Sequence, residues 1–306
     1  MPYLRDPDEL AAAIAQLSQA PQLWLDTETA DYKTKKPRLS LIQVLAVGEI
    51  VTPEQVWVLD VLEQPKSVEQ FIDIIMENGA IAKICHNAAF DRRFLGKDRV
   101  QNLTCTLEMA KAIPHHLLPV ENHQLKTLTE YFAIASAVDK AEQSSDWGQR
   151  PLTPSQCHYA SLDVIYLAQI YNHLRPLYQR SHPEPATEDI EALILRYHQL
   201  KPKWDTLNAE VKHIEERLKK AMPAQGIQEQ QGVSIQTSKR TTRKVDFGAI
   251  AAYAQAQDLD LNFAVNLTKD TMKKLGNGAT ELPIEEQVST IIKLKTQPLA
   301  EEDLLF

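Results

Sequence analysis

The chain has 306 residues, 43% of them hydrophobic and 24% charged, with a formal net charge of -8. That length predicts two domains, at least one able to bury a substantial core. The acidic balance speaks against tight non-specific nucleic-acid binding through bulk charge, and no apolar run approaches the roughly 18 residues of a membrane span. The opening "MPYLRDPDEL" is charged and lacks an apolar h-region, so a cytoplasmic protein is expected. Cys85, Cys105 and Cys157 form no C-x-x-C pair, which points to small core residues rather than a zinc ribbon or a disulfide framework.

Strand-like and helix-like patterns alternate up to about residue 180, as in an α/β layered domain. "DPDELAAAIAQLS" predicts a helix with acids in its first turn, and "LWLDTE" a central strand. "LSLIQVLAV" and "VWVLDV" predict a hairpin around "GEIVTPEQ". "SVEQFIDIIMENG" reads as a helix stopped by Gly79, "AIAKICHN" as a short buried strand, and "AAFDRRFL" as the start of another helix. In "TPSQ", Thr153 can cap, Pro154 fits the first helical position and Gln156 completes a capping box. One continuous helix is therefore predicted over "CHYASLDVIYLAQIYNHL".

"RSHPEPATED" has the prolines and polar residues of a linker. The expected layout is a first domain over residues 1–181, a linker at 182–187 and a smaller α+β region over 188–306. In that region Leu193, Tyr197, Leu200, Trp204, Leu207, Val211, Ile214 and Leu218 alternate at spacings of four and three, a heptad-like seam. Pro202 lies inside it, and a lost helical hydrogen bond costs about 3 kcal/mol, so a kink or a break into two helices is predicted. A helix pair packed within the chain is the simpler reading, and a homo-oligomer through the seam is the other. Beyond Gly226, "IQEQQGVSIQTSKRTTRKVD" predicts a hairpin with a basic end and "FGAIAAYAQAQ" a helix. Lys239, Arg240, Arg243 and Lys244 at that end either track a phosphate backbone or form a solvated tip.

Three acidic clusters carry the chemistry. On a strand, Asp26 and Glu28 point the same way, and two crowded carboxylates repel unless protonated or sharing a cation. Asp91 follows His86 and Asn87 at the end of a predicted strand, where α/β proteins place ligands. Tyr159 and Asp163, four apart, share one helix face. Taken singly these are a solvated strand end, a helix acid flanked by Arg92 and Arg93, and a common helical pair. Together they offer only oxygen ligands, which suits Mg²⁺ or Mn²⁺ rather than zinc. Two such ions about 3.5–4 Å apart form the usual clamp for in-line phosphodiester cleavage.

In order and spacing, "LDTET" with "PRLSLIQV", "HNAAFDRRFL" and "SSDWGQRPLTPSQCHYASLDVIYL" resemble the 3′–5′ exonucleases with four acids and a tyrosine, and within them the ribonuclease D branch. The resemblance implies a ribonuclease H-like α/β fold: a mixed sheet with helices on both faces. It also implies that Asp26, Glu28 and Asp163 hold one ion beside the attacking water and that Asp26 bridges to a second. Asp91 would hold that second ion through water, Tyr159 would orient the attacking water, and each cycle would release one nucleoside 5′-monophosphate. Thr29 stands where ribonuclease D has phenylalanine and matches the "DTET" of proofreading domains in bacterial DNA polymerases, so single-stranded RNA and DNA both remain open as substrates.

Near the acids, Thr29, His86, Asn87, Arg92, Arg93, Lys140, Gln143, Trp147 and Arg150 are candidates for holding the 3′-terminal nucleotides. Trp147 would stack on a base or anchor the core. The terminal "EEDLLF", with Leu304, Leu305 and Phe306, resembles short peptides that dock on bacterial replication proteins, a frayed terminus being the simpler reading. The alternative function is a non-catalytic nucleic-acid-binding module on the same fold. Such a module has no physical reason to keep four acids and a water-positioning phenol.

Overall fold

The computed structural model describes residues 2–46, 52–135, 141–238, 246–260, 265–276 and 282–285. Lys140, the basic tip of Lys239, Arg240, Arg243 and Lys244, and the Leu304, Leu305 and Phe306 tail lie outside the described residues. The chain divides into two compact units, Met1–Glu188 and Asp189–Phe306. No helix among the described residues is long and apolar enough to cross a membrane.

The first unit opens with strand β1 (Tyr3–Leu4) and helix α1 (Pro7–Leu17). Asp6 caps α1 by accepting from the backbone N–H groups of Asp8 and Glu9. Leu10, Ile14 and Leu17 bury one face of it, each worth about 1.5–3 kcal/mol. Next come β2 (Gln22–Ala30), β3 (Arg38–Leu45), β4 (Trp57–Asp60) and α2 (Pro65–Phe71), which runs on as a π-helical turn, Ile72–Met76. They are followed by β5 (Ala82–Cys85), α3 (Ala89–Arg92), β6 (Leu103–Cys105), α4 (Thr106–Ala112), α5 (Leu125–Tyr131) and α6 (Pro154–Ser181). The helix expected from "AAFDRRFL" is a single turn. The N–H groups of Phe94 and Leu95 both close onto the Asp91 carbonyl, and Gly96 turns left-handed at φ 104°.

The strands form one sheet in the order β1-β4-β3-β2-β5-β6, with β3 antiparallel to both its neighbours and the other pairs parallel. Side chains alternate between its faces. Leu23, Leu25, Ile42, Val44 and Leu59 pack against α1 and α2, whereas Trp24, Leu41, Leu45, Val58 and Ile84 pack against Ala160, Val164 and Ala168 of α6. This is the ribonuclease H-like mixed sheet with helices on both faces. Along β2 the register slips between Glu28, opposite Leu41, and Thr29, opposite Leu39, leaving Ser40 as the extra residue of a β-bulge.

The second unit holds α7 (Ile190–Ala224), a hairpin of β7 (Glu229–Gln230) and β8 (Val233–Ser234), α8 (Phe247–Ala256) and α9 (Lys269–Leu275). Gln231 and Gly232 both have positive φ, as a two-residue hairpin turn requires. Of the kink or break expected at Pro202, the break does not occur. Helix α7 continues through Pro202 without breaking into two, because one lost hydrogen bond is small against the bonds on either side. Among the described residues the seam is not buried in an intramolecular helix pair either, since Leu200, Trp204, Leu207 and Val211 are exposed.

Candidate active site

Strand β2 delivers Asp26 and Glu28 toward α6, on the same side as Trp24. Helix α6 starts on the predicted capping box: Thr153 accepts from the Gln156 N–H at 3.1 Å, and the Gln156 side chain accepts from the Thr153 N–H at 2.9 Å. Two turns on, Asp163 meets the strand. Ligand oxygens of Asp26, Glu28 and Asp163 lie within 4.8 Å of one another. The Tyr159 hydroxyl, one turn before, hydrogen-bonds Asp163.

Burial first, and then the charges of Asp91 and Asp163, push the Asp26 carboxyl well above the usual carboxylate range. Glu28 is raised in the same way by burial and by Asp26. Tyr159 is pushed far up by burial and by the neighbouring Asp163 charge, so it stays a neutral phenol at any working pH. Asp91 is 2% exposed and stands outside the mutual set of three. Its Oδ1 accepts from the Thr27 hydroxyl at 2.7 Å, and burial raises its carboxyl to about 7 although that hydrogen bond lowers it.

The cluster opens into a groove of about 540 Å³. Asp26, Tyr159 and Asp163 form one part of it, His86 and Asn87 after β5 another, and Gln143, Leu107 of α4 and the start of α5 the rest. His86, Asn87 and Gln143 thus share the groove with the acids. The His86 ring spans the Thr106 hydroxyl, 2.9 Å from Nδ1, and the backbone of His123. Burial lowers its pKa to about 4, so it is neutral.

Among the described residues, the other candidate contacts lie outside this groove. Trp147 is 2% exposed and packs in the core against Tyr159, so it anchors rather than stacks on a base. Arg150 is consumed by protein partners: it grips both oxygens of Asp60, donates to the Trp147 and Gln149 carbonyls and donates to Ser40 Oγ. Thr29 is buried at the bulge and does not line the groove. Arg92 lines a neighbouring groove that also contains Asn87, where the Lys97 carbonyl and Asp98 hold its guanidinium.

Further residues without an evident motif in the sequence stand at the site. Leu107, Gln124, Leu125 and Lys126 line the groove. Gln43 lies directly across from Asp26 in the β2–β3 ladder, fully buried, with neither amide atom hydrogen-bonded among the described residues. Its signal was visible: a lone amide inside the apolar run "LSLIQVLAV". The bulged Ser40 donates to the Trp147 carbonyl at 2.6 Å, and Gln156 Nε2 donates to Ser145 Oγ and to the Asp146 carbonyl at 3.0 Å each.

A protein-family model described as 3′–5′ exonuclease matches residues 1–179. The chain is 28% identical over 199 residues to DNA polymerase I of Aquifex aeolicus, covering 65% of this chain and 31% of the relative. It is 27% identical over 198 residues to ribonuclease D of Nitrobacter hamburgensis, covering 60% and 46%. Among solved structures, Escherichia coli RNase D superposes with a TM-score of 0.47 at 26% identity, covering 59% of this chain and 46% of that one. The chain thus spans less than half the length of these curated relatives. With the family model covering more than half of its residues, the chain belongs to the 3′–5′ exonuclease family.

Proposed function

We propose that this protein is a metal-dependent 3′–5′ exonuclease that removes nucleoside 5′-monophosphates from single-stranded RNA or DNA ends. The observation that carries this reading is the convergence of Asp26, Glu28 and Asp163 beneath the groove, with the Tyr159 hydroxyl on Asp163.

The donor set fits hard divalent ions, Mg²⁺ or Mn²⁺. It consists of carboxylates whose mutual repulsion a cation relieves, and the buried Gln43 amide, without a hydrogen-bond partner among the described residues, stands across the ladder from Asp26. Asp26, Glu28 and Asp163 would hold one ion, and Asp91, on its Thr27 tether, would help Asp26 hold a second. When bound, the pair supplies activation of the attacking water and charge neutralisation at the phosphate.

The remaining work falls to the chain itself. Tyr159 donates its proton to Asp163 and keeps oxygen lone pairs free to accept from the attacking water, which fixes that water's position. A neutral His86, spanning Thr106 and His123, holds the groove wall rather than shuttling protons. Leu107 and Leu125 offer an apolar surface to the terminal base, and Gln124, Lys126 and Gln143 offer polar groups to sugar and phosphate.

The test is degradation of matched 5′-labelled RNA and DNA strands, single and double, with Mg²⁺ or Mn²⁺ and an EDTA control. The expected result is a ladder shortening from the 3′ end with 5′-monophosphate products, abolished by EDTA. Failure to degrade any strand, or cleavage unaffected by EDTA, would falsify the reading.

A further inference from the structure

The apolar stripe of α7 plays no part in the proposed chemistry. Leu193, Leu200, Trp204, Leu207 and Val211 are 45–61% exposed on a helix of 35 residues. A lone helix in water draws little stability from propensity, and an apolar face is ordinarily packed against something. From Leu193 to Leu218 the stripe runs roughly 38 Å and fills about four heptads, enough for a coiled-coil pattern to be meaningful. Pro202 falls at the heptad position opposite the seam, so its steric conflict lies on the outer face.

The flanking charges select the occupant. With Tyr197, Trp204, Val211 and Leu218 at a, the g positions are Arg196, Lys203, Glu210 and Arg217, and the e positions are Ile194, Lys201, Asn208 and Glu215. A parallel in-register pair would set Arg196 against Lys201 of the partner subunit and Glu210 against Glu215 of the partner subunit, each contact occurring twice. An antiparallel pair instead brings every a against a d, from Leu193 against Leu218 of the partner subunit at the ends to Trp204 against Leu207 of the partner subunit at the centre. It sets Lys203 against Glu210 of the partner subunit, twice, near the middle. The remaining like-charge contact, Arg196 with Arg217 of the partner subunit, falls toward the ends, where long side chains splay into water and are screened.

We propose that a second copy of this chain covers the α7 stripe as an antiparallel coiled coil, with Lys203 of each copy facing Glu210 of the partner subunit.

The test is sedimentation equilibrium of the full chain over a concentration series. The wild type is expected to dimerise. Leu207→Glu should weaken the dimer by about a hundredfold or more, since it places two carboxylates against the central tryptophans. Circular dichroism of Leu207→Glu, expected to match the monomeric wild type, controls for loss of the helix. Glu210→Lys should weaken the dimer roughly tenfold, and Lys203→Glu combined with Glu210→Lys should restore it. A wild type that stays monomeric overturns the proposal, as does a dimer untouched by Leu207→Glu. A dimer unchanged or tightened by Glu210→Lys overturns the antiparallel register, because in a parallel pair the new lysine would face Glu215 of the partner subunit.

Discussion

Arg150 holds both carboxylate oxygens of Asp60, each at 2.6 Å, across ninety residues of chain. The pair is nearly sealed, with side-chain exposures of 12% and 1%, and Tyr3 adds a third hydrogen bond to Asp60 at 2.6 Å. It fastens the segment before α6 to the sheet at the Ser40 bulge, and so sets the position from which Tyr159 and Asp163 are presented.

Removing Arg150 leaves the buried Asp60 carboxylate only the exposed Arg5, 3.7 Å away, as a charged partner. Arg150→Ala should therefore lower unfolding free energy by about 3–5 kcal/mol in urea titrations, whereas Asp60→Leu with Arg150→Met should recover most of that loss. A single mutant that loses under about 1 kcal/mol would show that water replaces the guanidinium.

Asp163→Asn removes one of three mutually repelling carboxylates. Without divalent ions the variant should melt higher than the wild type; with Mg²⁺ the wild type should gain stability and the variant should not. Nucleotide release should fall by more than the roughly 10–100-fold typical of losing an outer partner of a metal site. Equal Mg²⁺-induced melting shifts in both proteins would remove Asp163 from the ion-binding set.

Tyr159→Phe keeps the ring packed on Trp147 and deletes only the hydroxyl. We expect kcat to drop by roughly 10–100-fold with KM nearly unchanged, measured on a single-stranded substrate. A rise in KM at constant kcat would move the phenol to the binding surface.

Gln43→Leu replaces a buried amide that has no partner among the described residues by an apolar group of similar size. In EDTA the variant should be as stable as the wild type or up to about 2 kcal/mol more stable, and its melting shift on adding Mg²⁺ should shrink. A destabilised metal-free variant would mean that the amide has a protein-held partner.

Lys83 is fully buried on β5 and donates from Nζ to the Asn78 carbonyl at 2.7 Å. Burial lowers its pKa from 10.5 to about 8. Between those values the unfolded chain binds the proton more tightly than the folded one, so stability rises with pH across that window. Denaturation midpoints of wild type and Lys83→Met should diverge there, the wild type gaining; parallel curves would mean that the ammonium is solvated.

Much of the site was legible in the sequence because its signals are local. Period-two alternation put Asp26 and Glu28 on one face, and the spacing of four put Tyr159 over Asp163. The capping box in "TPSQ" marked where α6 begins, which fixes how far along the helix those two residues lie. Such features depend on backbone geometry over a few residues, and the sequence by itself determined them. Tertiary structure alone decided the rest. Trp147 and Arg150 have the chemistry of substrate contacts, yet the fold commits one to the core and the other to Asp60, because the energetic cost of an unpaired buried carboxylate exceeds any weak contact with solvent. Gln43 became part of the site only when β3 paired with β2 in the register that sets it against Asp26. Lys126 and Leu125 joined it only when α5 was brought to the groove. Strand register and helix docking are settled by packing between residues far apart in the chain, and no short stretch carries that information.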